Sequence, residues 1–138
     1  SVLAGRDSEA QEAVALINDD VQKGLTLVTL CDAKRKVDDP EGAAEYLNEA
    51  RRIGTAVEQP SMKSVILSQS ARRYKIAGDA ETARELFSES LFACEGILDS
   101  SNRVSSFAAL ADVLSELEFE LNDSEKQMLR TMLLKSDR

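Results

Sequence analysis

A chain of 138 residues suits one domain and can bury a core without disulfides or metal. Its net charge of −8 is repelled by phosphate backbones and anionic bilayers, so neither nucleic acid nor membrane is expected as a partner. Aromatic residues make up 4% of the chain, with two prolines and six glycines, which suits helix packing better than many short strands.

In chain order, a Ser8–Gln11 capping box predicts a leading helix over 8–18, with Ala10, Ala13, Val14 and Ile17 on one face. Leu27, Leu30, Cys31 and Lys34 then repeat at i, i+3, i+4 and i+7, predicting a helix over 20–37. After the turn Asp38-Asp39-Pro40, the run Ala43, Leu47, Ala50 and Ile53 predicts a helix over 41–56. The turn Glu58-Gln59-Pro60-Ser61 leads to a helix over 61–77 carrying Leu67, Ala71 and Tyr74. Ala77-Gly78-Asp79 separates it from a helix over 80–97 with Ala83, Phe87, Ser90 and Ala93. Asp99-Ser100-Ser101-Asn102 opens a helix over 101–118 with Phe107, Leu110, Ala111 and Leu114. A helix over 123–135 follows, and a one-residue insertion near 119–122 brings Ser124, Met128, Thr131 and Leu134 onto the repeating pattern.

The pattern recurs every forty residues. Leu27 falls on Leu67 and Phe107, Cys31 on Ala71 and Ala111, and Ala43 on Ala83. Leu47 falls on Phe87, Ile17 on Val57 and Ile97, and Lys23 on Lys63 and Arg103. Small residues meet small ones where two helices cross closely, and a large residue plugs the gap between them. The stretch from Leu67 through Ala71, Tyr74, Gly78-Asp79, Ala83, Phe87 and Ser90 resembles the core of a tetratricopeptide (TPR) repeat. It departs from that family in its forty-residue period, in Ser70 at a usual leucine position, and in the missing proline after Ser90. The resemblance implies one all-α domain over 1–138: a short right-handed α-solenoid of antiparallel helix pairs with about seven helices. The leading helix is followed by units near 20–57, 60–97 and 100–135.

No enzyme chemistry is legible. Histidine is absent, which removes the commonest general base and zinc ligand. Cys31 and Cys94 form no CxxC pair and read as small buried residues in a reducing, cytoplasmic setting. The glycines compose no phosphate-binding motif, so no cofactor is expected. No apolar run has the length of a membrane span, and no signal-peptide pattern starts at Ser1. A TPR-like array instead implies a scaffold that holds another protein or peptide on the concave face of its first helices. Val28, Asp32, Arg35, Lys36, Ser68, Arg72, Lys75 and Asp112 are the candidate partner-binding residues. Arg35, Lys36, Arg72 and Lys75 would form a local site for a carboxylate or acidic peptide, unless they pair with Asp32, Asp112 and Glu116 on neighbouring helices. The alternative is a homodimerisation or spacer module built on poorly capped ends, with Leu3 and Met132 exposed.

Overall fold

Seven α-helices and no strand make up residues 2–16, 19–118 and 120–136, which the computed structural model describes. They are α1 (Val2–Ala15), α2 (Asp20–Lys36), α3 (Pro40–Ala56), α4 (Pro60–Ile76), α5 (Ala80–Glu95), α6 (Ser100–Leu117) and α7 (Asp123–Ser136). The all-α class and the boundaries from α2 onward follow the expectation to within two residues.

Aspartates set most helix starts, because a side-chain oxygen satisfies the orphan N–H groups of the first turn. Asp19 accepts from Val21 (2.8 Å) and Gln22 (3.2 Å), Asp39 from Gly42 (3.0 Å), Asp79 from Thr82 (3.1 Å) and Asp99 from Asn102 (2.9 Å). Hydrogen bonding from Gly42, aided by Lys34, holds the Asp39 carboxyl below the usual carboxylate range, and bonds from Thr82 do the same for Asp79. α4 has no side-chain cap and starts on Pro60, whose missing N–H costs nothing at a first helical position.

The turns inside the first two pairs share one hydrogen-bond pattern. The carbonyls of Lys34 and Arg35 accept from Asp39 (2.9 Å) and Asp38 (3.1 Å), and those of Tyr74 and Lys75 accept from Asp79 (2.9 Å) and Gly78 (3.0 Å). Both are Schellman closures, and each needs a left-handed residue: Asp38 at φ 57° and Gly78 at φ 91°. Glu118 at φ 55° closes α6 in the same conformation. These three positions are forty residues apart, as are the starts of α2, α4 and α6.

Packing follows the same order. α2 packs on α3 and α4 on α5, α4 also touches α2, α3 and α6, and α5 and α6 both hold α7. Among the described residues α3 and α5 make no backbone contact, but Arg51 reaches Glu85 across them at 3.6 Å. The seam between the first two pairs closes on Ile66. A Cβ added to Gly24 would lie 3.1 Å from its Cδ1, and one added to Gly54 would lie 2.7 Å from its Cγ2 and 3.0 Å from Leu67 Cδ2. Two glycines therefore let α4 approach α2 and α3 together. Gly54→Ala should destabilise by about 1–3 kcal/mol through overpacking, despite the roughly 1 kcal/mol of helix propensity that alanine brings. Urea titration checks this, and Ile66→Ala should recover part of the loss if the two positions share that space.

The structure corrects the two ends. α1 begins at Val2, so Ser8 and Gln11 lie inside the helix and do not cap it. Val14 is buried and Ala13 exposed, while Ile17 and Asn18 lie outside the described residues. Among the described side chains of α7 the buried ones are Glu125, Met128 and Met132. Ser124 and Leu134 are exposed, so a one-residue insertion does not restore the packing stripe. Met132, expected to be exposed, is 2% exposed, and the Leu3 side chain lies outside the described ones.

Candidate partner-binding surface

Two of the eight candidate residues have no accessible side chain. Val28 and Ser68 are 5% and 3% exposed, and the Ser68 hydroxyl donates to the Val65 carbonyl at 3.1 Å. They occupy equivalent positions on α2 and α4. α2 and α4 each pack against their own partner and against the next first helix, so their buried stripe is wider than one pair requires.

Ion pairs take up part of the expected charge. Arg72 makes a bidentate pair with Glu116 of α6 (2.6 and 2.8 Å). Asp32 is held in the same way by Arg73 of α4 (2.9 and 2.9 Å). Arg73, which spacing did not single out, is fixed further by its bonds to the Gln69 carbonyl (2.8 Å) and side chain (3.0 Å). Neighbouring arginines on one helix thus brace opposite sides of α4. Fork-to-carboxylate geometry gives such pairs more orientation than a surface lysine would supply. Asp112 is exposed and makes no ion pair with any described residue.

Arg35, Lys36 and Lys75 also make no ion pair with a described residue; Lys36 and Lys75 are exposed and Arg35 is half-buried. Arg35 borders a cavity of about 420 Å³ between the C-terminal ends of α2 and α4 and the start of α3. Its guanidinium Nε is buried and meets no hydrogen-bond acceptor. Leu47, Tyr74 and Ile76 give the cavity an apolar wall, with Asn48 and Asp79 at polar points. Ile76 is 65% exposed there, and the Tyr74 hydroxyl donates to Asn48 Oδ1 at 2.5 Å. A half-buried cation beside aliphatic and aromatic surface can receive a carboxylate next to an apolar side chain.

The thiols are poorly suited to nucleophilic chemistry. Burial pushes Cys94 up to about 11, with Arg103 opposing weakly. Burial raises Cys31 as well, against the nearby Arg35 guanidinium. Both are protonated at neutral pH, and a thiol is the weak form of the nucleophile.

The chain matches no family model, no curated protein and no solved structure. Its role is therefore read from its own residues. Among the described residues no group of acidic or cysteine side chains could hold a metal ion, and no helix is long and apolar enough to cross a membrane.

Sequence reasoning missed two further buried polar residues. Arg103, 6% exposed, donates to the Ile97 (2.6 Å) and Leu98 (3.4 Å) carbonyls and so ties down the α5–α6 turn. Its place in the Lys23–Lys63–Arg103 series was the available signal. Glu125, 1% exposed, shares a capping box with Asn122 and receives Arg84 of α5. An Asn-x-x-Glu spacing marked that cap, but nothing local marked Arg84.

Proposed function

We propose that the chain is a TPR-like α-solenoid scaffold that binds another protein or peptide and carries out no catalysis. The recurrence of the left-handed turn residues Asp38, Gly78 and Glu118 at a forty-residue spacing is the observation that carries this reading. Equivalent helix pairs stacked in one direction form an extended surface along their first helices, and arrays of this kind use that surface for binding. Arg35, Lys36 and Lys75, which have no carboxylate partner among the described residues, would meet an acidic segment of the partner. The net charge of −8 opposes long-range attraction, so the contact must act within about a Debye length.

Arg35→Glu with Lys75→Glu should remove the partner from a pull-down out of native lysate, compared with the parent protein by mass spectrometry. Each charge-assisted contact contributes roughly 1.5–3 kcal/mol, enough to lower recovery about tenfold or more. Helicity should stay unchanged, because neither residue bridges two helices by an ion pair. An unchanged set of captured proteins would move the binding surface away from these cations.

A further inference from the structure

Equivalent positions on the three first helices have different surroundings. Gly24 and Ser64 are buried, while Val104 is 49% exposed. Val28 and Ser68 are 5% and 3% exposed, while Ala108 is exposed. α4 lies against α2, and α6 lies against α4. The face of α6 that carries Val104 and Ala108 continues an interface already formed twice in this molecule.

Charge repeats in the same way. Asp32 pairs across the first seam with Arg73, and Arg72, its equivalent on α4, pairs across the second seam with Glu116. Each time the residue at this position meets an opposite charge on the next first helix. Asp112 is the third equivalent, and it is exposed without a described partner.

We infer that the outward face of α6 docks an amphipathic α-helix of another protein in the place a fourth first helix would take. Gly24 leaves room for the bulky Ile66, whereas Val104 fills the equivalent space itself. The incoming helix therefore has a small residue against Val104. It has a lysine or arginine seven residues further on, as Arg73 follows Ile66, to meet Asp112. A second copy lacks the cation at that place. The α6 of a copy has Val113 where Arg73 stands on α4, in a chain of net charge −8. The α2 of a copy has Ala33 where Arg73 stands on α4. This surface is distinct from the cavity at Arg35 and does not depend on it.

The probe is a hydrocarbon-stapled peptide with the α4 sequence Pro60–Ile76 and Ile66→Ala, titrated into the isotope-labelled full chain. Amide shifts should saturate and centre on Val104, Ala108 and Asp112. Asp112→Arg should weaken binding about tenfold or more, and the Arg73→Glu peptide should restore it in that variant. Ala108→Gln, an uncharged block on an exposed position, should also weaken binding. Failure to saturate at millimolar peptide, shifts centred elsewhere, or no rescue by the charge swap would each overturn the inference. So would a dimer in light scattering that Ala108→Arg converts to monomer, since that assigns the face to a second copy.

Discussion

Phe87→Ala should lower the unfolding free energy by about 3–5 kcal/mol. Phe87 is 2% exposed and lies on α5 between Ala83 and Ser90, which are both 0% exposed. Those two small residues bring the neighbouring helix close, and the ring fills the space between them. Leu86 and Leu91 are equally buried on either side, so the site has little freedom to collapse. The ring also borders an apolar cavity of about 40 Å³ formed with Phe107, Leu110, Leu114, Leu121 and Leu129. Truncation would merge the ring's volume with that void, and the cost rises with the cavity left behind. A loss of this size is a large part of the roughly 5–15 kcal/mol that holds a domain folded. Chemical denaturation followed by circular dichroism measures it. Ala83→Leu should destabilise too, by overpacking the same crossing. If both variants unfold like the parent, the α5 register is wrong.

Glu125→Ala should cost about 2–3 kcal/mol and loosen α7 before the rest of the molecule. The Asn122 side chain accepts from the Glu125 N–H at 2.8 Å, and Glu125 Oε1 accepts from the Asn122 N–H at 2.9 Å. The same carboxylate oxygen receives Arg84, whose other guanidinium nitrogen donates to the Glu120 carbonyl at 2.6 Å. One side chain thus caps α7 and ties it to α5. Arg84 is 30% exposed, so after truncation it can turn to water, which keeps the loss below that of a fully buried broken pair. Hydrogen exchange should quicken first in 123–136, with α2 to α4 protected as in the parent. Uniform quickening across all helices would show that α7 is not separately anchored.

Much of this fold is legible because its local and tertiary signals agree. Asp-Asp-Pro and Ala-Gly-Asp carry both the left-handed closure of one helix and the cap of the next, so the pairs can be divided from sequence. Ala43, Leu47, Ala50 and Ala83, Phe87, Ser90 are all buried as the spacing implies. The candidate surface was less legible. A helix that packs on two sides buries positions that a single stripe leaves outside, so spacing alone places the buried Val28 and Ser68 on the face. Arg72 and Arg73 are adjacent in sequence yet reach α6 and α2 respectively, a division that only the tertiary arrangement decides. The third pair lost its register because α7 starts three residues after the forty-residue spacing from Ala80 (123 − 80 = 43). Arg84 and Glu125 lie 41 residues apart, beyond the reach of any local motif.

Stacking of equivalent helix pairs through their first helices is tested most directly at Ile66, where α2, α3 and α4 meet. Nuclear Overhauser spectra of the methyl-labelled chain should show cross-peaks from the Ile66 γ2 and δ1 methyls to the Hα protons of both Gly24 and Gly54. Those contacts exist only if α4 lies against both members of the preceding pair. Ile66 cross-peaks confined to α4 and α5 would contradict a stacked array and leave the chain a helical bundle of another arrangement.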